Sequence, residues 1–388
     1  MPANVIKGAA DAPFAFDALI DRRHSSSLKW DHYQGQDILP LWVADMDFPS
    51  PPAVLEALRE RVDHAIFGYT LAPASLLEAV QAHVQRQYGW HIEAEWLVWL
   101  PGLVTGLNAV CRAVGEAGDA VLTCTPIYPP FLSAAELMGR QTMAVPLVQE
   151  GSRWRMDIAA MERAITPKTK LLLLCNPHNP VGRVWSREEL VAVAELTQRH
   201  DLIICSDEIH ADLILDPDKQ HLPLAMLSPE LSRRTITLQA PSKTYNIPGL
   251  GCSYAVVSDA GLRRRLTQSM EGIVPHVNLM GYVAAEAAYR HGEPWRLALL
   301  AYLRANRALV QQAIEAMGLS MSPVEATYLA WIDVRGRGIE HPQRFFEAVG
   351  VGLSGGRAFG LPGFVRLNFG CPQSILVEAL ARMHKALR

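Results

Sequence analysis

Lys243 stands in the stretch Leu238-Gln239-Ala240-Pro241-Ser242-Lys243-Thr244-Tyr245-Asn246-Ile247-Pro248-Gly249-Leu250. The apolar run from Thr235 to Leu238 ahead of it reads as a short buried strand. Pro241 and the pair Pro248-Gly249 place the lysine in a loop. A lysine just past a strand end, between hydroxyls and apolar neighbours, can be stripped of water. Desolvation lowers its pKa and makes it a usable amine nucleophile. A surface loop lysine is the plain alternative. Three other groups suit charge chemistry: Asn179 in an N-P-x-G turn, Asp207 at an acidic strand end, and Arg366 in Phe-Val-Arg-Leu-Asn. An arginine fork matches a carboxylate in two bonds.

Each of these residues needs an element to carry it. Trp96 to Leu100 is a short apolar strand running into Pro101-Gly102-Leu103-Val104-Thr105-Gly106, and then a helix with Leu103, Leu107, Val110 and Val114 at helical spacing. A glycine turn at a helix start presents free N–H groups and a positive dipole end, a seat for phosphate. Many strand–helix turns contain glycine, so this signal is weak alone. Ala120 to Cys124 is a strand that displays Tyr128 just beyond its end. Leu171 to Cys175 ends at Asn176-Pro177-His178-Asn179, and Leu202 to Cys205 ends at Ser206-Asp207-Glu208-Ile209-His210. Their unbroken apolar character predicts strands buried on both faces. Strands alternating with helices predict an α/β fold with a mostly parallel sheet. Ligands bind beyond the carboxyl ends of such strands, and Tyr128, Asn179, Asp207, His210 and Lys243 all lie at such an end.

The flanks differ. Leu39 to Phe48 reads as a strand entering a turn at Asp45 and Asp47. Pro49-Ser50-Pro51-Pro52 opens a helix with Val54, Leu55, Leu58 and Val62 on one face. Gly68-Tyr69 is a turn with an aromatic at its tip, ahead of a helix from about Ser75 to Tyr88. From Pro275 the texture changes: Val283 to Met317 predicts one long helix, Thr327 to Val334 a half-buried strand, and Phe364 to Phe369 a strand carrying Arg366. The division expected is 1–48 as an N-terminal segment packing with the small domain, 49–282 as a large domain, and 283–388 as a smaller α+β domain. No internal repeat or low-complexity segment is present.

Bulk properties narrow the function. The 388 residues are 49% hydrophobic, enough for a large core, and the net charge is -3 with both signs mixed along the chain. No basic tail or block points to nucleic acid or an anionic membrane. The six cysteines form no C-x-x-C pair, so neither a metal centre nor a disulfide framework is suggested. The N-terminus carries Asp11, Asp17 and Asp21 and lacks a long apolar core, unlike a signal peptide. No apolar run approaches the ~18 residues of a membrane helix. A cytoplasmic protein is expected.

In order and spacing, Asn179, Asp207, Lys243 and Arg366 resemble the fold-type I enzymes of the aminotransferase class I and II superfamily, which use pyridoxal 5'-phosphate (PLP). The likeness covers nearly the whole chain. W-V-A-D-M-D-F, the F-G-Y-T turn, N-P-H-N-P-V-G-R-V-W, S-D-E-I-H-A-D-L, A-P-S-K-T-Y-N-I-P-G-L and R-L-N-F-G-C-P are similar to the cystathionine β-lyase branch. The resemblance implies a PLP-dependent transferase-like fold and a set of residue roles. Lys243 bonds to the PLP aldehyde and later carries protons to and from Cα. Asp207 pairs with the pyridine nitrogen; alternatively it is a helix cap and Glu208 is the acid, but Glu208 points the other way if the strand continues. Asn179 donates to the ring's phenolic oxygen. His210 takes a position where aminotransferases often carry a tyrosine on that oxygen; a structural histidine is the alternative.

Tyr128 stacks on the ring by the same resemblance. Gly102, Leu103, Val104 and Ser242 hold the phosphate. Gly251 stands where family members often carry a phosphate-clamping arginine. Tyr69 matches a tyrosine that reaches the phosphate of the partner subunit, which implies a homodimer. Arg366 holds the substrate α-carboxylate, and Tyr328 with Ala44-Asp45 lies near the substrate. Arg357 has no assigned role. The leading function is α,β-elimination from a small sulfur amino acid such as cystathionine, giving a thiol, pyruvate and ammonia. The alternatives are an aminotransferase with the same site and a regulator built on a PLP fold. The second would be favoured by loss of Lys243 or Arg366 or by an added DNA-binding segment, and neither is seen.

Overall fold

The structure, a computed structural model, describes residues 14–388. The start of the expected N-terminal segment, with Asp11, lies outside them. Seven strands form the main sheet: Leu97–Leu100 (β1), Ala120–Thr125 (β2), Gln141–Pro146 (β3), Thr169–Cys175 (β4), Ile203–Asp207 (β5), Thr235–Gln239 (β6) and Ser253–Val256 (β7). Their order across the sheet is β1-β7-β6-β5-β4-β2-β3. Only β7 runs against its neighbours, pairing antiparallel with both β1 and β6. The expected α/β fold with a mostly parallel sheet is therefore the fold observed. The four apolar runs at its centre are buried on both faces, with β6 buried at every residue. Helices on both faces remove these strands from water, which is why they carry no polar alternation.

Three central strands, β2, β5 and β6, run past the apolar runs read from the sequence. Asp207 is the last residue of β5, not a residue after it, and pairs with Cys175 and Leu238 in the neighbouring strands. Ladder bonding extends as long as neighbours are in register, whatever the side chain. Helix Leu103–Ala113 returns along the sheet so closely that a Cβ on Gly106 would lie 3.0 Å from the Leu100 side chain.

A second, four-stranded antiparallel sheet holds Ser320–Met321, Leu329–Asp333, Phe364–Asn368 and Ser354–Gly355. Arg366 lies in its third-named strand, opposite Trp331 and Ser354. Two sequence expectations fail here. The expected single helix from Val283 to Met317 is two helices, Leu279–His291 and Glu293–Ala316, divided at Gly292. Pro294 has no N–H, so it sits in the first turn of a new helix rather than inside an old one. The expected half-buried strand at Thr327 to Val334 is Leu329–Asp333, buried through its first four residues. Its apparent alternation includes Trp331, which packs under Phe364 with ring centroids 5.2 Å apart.

The expected strand at Leu39 to Phe48 shrinks to Leu39–Pro40, paired parallel with Val351–Gly352. The rest, Leu41 to Phe48, is an irregular strap crossing between the two sheets. Phe16 anchors the chain before it, packing on Phe48 and on Trp295 and Tyr302 of helix Glu293–Ala316. Helix Leu279–His291 packs on Pro52–Asp63 and Ala74–Tyr88, so the division expected between 282 and 283 falls inside a helix that faces the main sheet's side. Among the described residues no helix is long and apolar enough to cross a membrane.

Candidate active site

The carboxyl ends of the parallel strands and the strap enclose a cavity of about 250 Å³. β1 leads into Gly102, Leu103 and Val104, β2 into Tyr128, β4 into Asn179, and β6 into Ser242 and Lys243. Asp207 ends β5, His210 comes just after it, and Ala44 and Arg366 close the far wall. These residues are scattered along the chain, and the sheet's strand order brings them together.

Lys243 is half-buried, and its Nζ donates to the Ala44 carbonyl at 2.6 Å. Burial lowers its pKa to about 8, with Asp45 and Asp207 opposing the shift and Arg366 adding to it. Asp207 is 5% exposed. Burial pushes its carboxyl up to about 7, although it accepts the Ile209 N–H at 3.1 Å. Glu208 turns away from the cavity. Ser206, His221 and the Leu224 N–H bond to it instead, at 2.8, 2.9 and 3.2 Å. That is the alternation of a strand, with successive side chains on opposite faces.

His210 is buried and its Nδ1 has no hydrogen-bond partner among the described residues. Burial, with Lys243 and Arg366 nearby, lowers its pKa to about 3, so the ring is neutral. It meets Tyr328 edge to face at 6.2 Å. Tyr328 is fully buried and donates to the same Ala44 carbonyl at 2.9 Å.

Arg366 is 4% exposed and has no carboxylate partner among the described residues. Its Nη1 donates to Asn179 Oδ1 at 3.1 Å, and its Nη2 to the Trp42 carbonyl at 2.8 Å and to Ser354 Oγ at 3.4 Å. The guanidinium lies over the Phe359 ring at 4.8 Å, and Nε is unpartnered. Burial lowers its pKa to about 10. A buried cation held by neutral acceptors is costly unless an anion joins it.

Tyr69 and Tyr328, both expected at the site, are not on the cavity wall: Tyr328 lies buried behind the Ala44 carbonyl. Tyr69 is fully exposed on a loop whose Ile66, Phe67 and Leu71 are also exposed, and it does not reach this chain's own cavity. Arg357 lines a separate surface cleft with His341 and Arg344. Gly251 has φ +59, and a Cβ there would lie 3.0 Å from the Pro101 carbonyl, so the turn that lacks the family's arginine is shaped for glycine. Sequence reading misses Thr105, Phe131, Ile209 and Pro248 on the cavity wall. Nothing in their types signals this; their nearness to Gly102, Tyr128, Asp207 and Lys243 in the chain does.

The model of the family "Aminotransferase class I and II" matches residues 36–383. The chain belongs to that family. It is 38% identical to cystathionine beta-lyase PatB of Bacillus subtilis, over 96% of this chain and 99% of that one. It is 50% identical to the crystal structure of OvoB, with a TM-score of 0.94, covering 96% of this chain and 99% of that chain. It is 32% identical to cystalysin from Treponema denticola, whose crystal structure contains a pyridoxal 5'-phosphate cofactor; the TM-score is 0.93, over 96% of this chain and 98% of that chain. The branch expected from the motifs is the one PatB occupies.

Proposed function

We propose that the chain is a PLP-dependent carbon–sulfur β-lyase that cleaves cystathionine or a related cysteine S-conjugate to a thiol, pyruvate and ammonia. One observation carries the reading. A lysine with a lowered pKa and a buried arginine with no carboxylate face the same cavity, beside a buried aspartate. Full-length likeness to a protein named cystathionine beta-lyase supports it.

The residues present fit PLP. Asp207 is held near neutrality until a cation pairs with it, and a protonated ring nitrogen is such a cation. His210 Nδ1 and Asn179 offer polar atoms for the ring oxygen. Tyr128 suits the ring face. Helix Leu103–Ala113 begins at the cavity wall, and with Gly102, Leu103, Val104 and Ser242 it suits a phosphate. When bound, PLP supplies an aldehyde and an electron-withdrawing ring.

This chain's residues then divide the work. Lys243 takes the substrate Cα proton, and a pKa of about 8 leaves part of it neutral near pH 7. The Ala44 carbonyl holds its amine at the cavity rim. Arg366 holds the α-carboxylate, which completes its unpaired charge. Tyr328 supports the Ala44 carbonyl from behind the cavity wall. Lys243 and Arg366 are the only lysine or arginine side chains on the cavity wall, among the described residues. An acidic keto acid would want a further cation, so the wall favours elimination from a single substrate over transamination.

The proposal extends to a cytoplasmic homodimer in which Tyr69 serves the partner's phosphate. The exposed apolar loop Ile66 to Leu71 suits burial against a second copy, and six free, buried cysteines suit a reducing compartment. We also move the division before the small domain to Gly292, between the two helices. Borohydride treatment of the yellow holoenzyme, with peptide mapping afterwards, tests the cofactor's seat. A stable label on Lys243 is expected. A label on Lys170 or Lys219, which lie outside the cavity, would overturn the assignment.

A further inference from the structure

The strap Trp42 to Phe48 has no sheet ladder, yet its carbonyls are engaged one after another by side chains. Trp42 O accepts from Arg366, and Ala44 O from Lys243 and Tyr328. The carbonyls of Val43 and Asp45 accept from Asn368 Nδ2 at 2.6 and 2.8 Å. Those of Met46 and Phe48 accept from Asn246 Nδ2 at 2.9 and 2.8 Å, and the Met46 N–H donates to Asn246 Oδ1 at 2.9 Å. Backbone groups withdrawn from water need such partners, but the choice of partners is informative. Asn246 lies three residues past Lys243. Asn368 lies two residues past Arg366, on the other sheet. Asn246 holds φ +53, a left-handed conformation that asparagine tolerates better than most residues. From the other side, Arg22 pairs with Asp45 and Asp47 at 2.6 Å, and Lys29 with Asp47 at 2.7 Å.

We propose that Asn246 and Asn368 are positioning residues: they clamp the strap from the two sheets and so set the distance between the Lys243 amine and the Arg366 carboxylate seat. The proposal rests on the lyase reading for its kinetics but not for its chemistry on the bare protein. Asn246 fixes the strap at the lysine end, where the Ala44 carbonyl stabilises the ammonium form. Asn368 fixes it from the arginine's sheet by holding the carbonyls of Val43 and Asp45, on either side of Ala44.

The test uses Asn246→Gly, which keeps the left-handed turn, and Asn368→Ala, with Asn368→Asp as a second variant that keeps the acceptor for the Gly370 N–H. Gln81→Glu is the control, because Gln81 likewise donates to a carbonyl, that of Ile92, remote from the cavity. Reductive methylation of Lys243 in PLP-free protein, read by mass spectrometry across pH, reports on the amine directly. Asn246→Gly is expected to move the labelling midpoint to lower pH, and in holoenzyme to lower kcat about tenfold with KM little changed, the effect of one lost charge-assisted bond. Asn368→Ala and Asn368→Asp, which free the carbonyls on either side of Ala44, are expected to move the midpoint in the same direction and, unlike Asn246→Gly, to raise KM about tenfold as well. If these variants lose thermal stability as Gln81→Glu does but keep the wild-type midpoint and show no kcat–KM split, the asparagines are structural and the proposal fails. A shifted midpoint in a protein that makes no pyruvate would sustain the clamp and refute the lyase reading instead.

Discussion

Replacing Arg366 with alanine removes a buried fork and leaves the substrate carboxylate without a cation. In the free protein the guanidinium is bonded only to neutral acceptors, Asn179 Oδ1, the Trp42 carbonyl and Ser354 Oγ. Its charge is therefore uncompensated until a carboxylate arrives. Truncating one partner of a buried, hydrogen-bonded charge pair costs about 2–5 kcal/mol. That corresponds to a fall in kcat/KM of roughly 30- to several-thousand-fold, expressed mainly in KM because the carboxylate is held alike before and during the reaction. Arg366→Lys keeps the charge but neither the fork nor the stack on Phe359, so it should recover only part of the loss. The assay is steady-state thiol release from a cysteine S-conjugate, which also yields pyruvate, and from its α-carboxamide, which yields pyruvamide. Wild type should prefer the acid strongly, and Arg366→Ala should treat the two nearly alike. If the variant keeps the wild-type preference for the acid, Arg366 does not hold the carboxylate.

Asp207→Asn should stabilise the PLP-free protein at pH 8 but not at pH 4. The folded carboxyl, raised to about 7, binds a proton that the unfolded one has already lost, so wild-type stability falls as pH climbs from about 4 to 7. Denaturant melts across that range should show a gap growing to about 4 kcal/mol at most, and a gap independent of pH would contradict the burial argument. Mixing inactive Lys243→Ala with inactive Tyr69→Ala chains should restore about one quarter of wild-type activity after subunit exchange, since half the dimers would carry one intact site; no recovery, by activity assay with size-exclusion control, would remove Tyr69 from the partner's site. Gly251→Ala should lower stability by about 1 kcal/mol or more because of its positive φ and the nearby Pro101 carbonyl, as measured by urea unfolding; an unchanged midpoint would show the turn to be relaxed.

The main sheet is legible in the sequence because strands buried on both faces write themselves as short apolar runs, and each run ends at a polar residue worth noticing. Lys243, Asp207 and Asn179 stand out that way, and the structure brings them to one cavity with Arg366, which sits mid-strand in the second sheet. The helices on either side of Gly292 read as one because Ala, Leu and Arg continue across the break, and only Gly292-Glu293-Pro294 marks it. The strap at Leu41 to Phe48 looks like a strand because its residues are apolar, but its backbone is satisfied by side chains from distant segments. No local pattern carries that information. Asn246 and Asn368 sit inside conspicuous motifs without drawing notice, since an asparagine that serves the backbone looks like any loop asparagine. Tyr69 is the reverse case: its resemblance to a partner-facing residue is visible in sequence, while this single chain leaves it in solvent.

Incubating the purified holoenzyme with cystathionine and no keto acid addresses the central claim most directly. Pyruvate should accumulate over many turnovers per subunit, with ammonia and homocysteine in equal amounts, and Lys243→Ala should produce none. If release stops after one equivalent and resumes only on addition of a keto acid, the chain is an aminotransferase and the elimination assigned to this cavity is wrong.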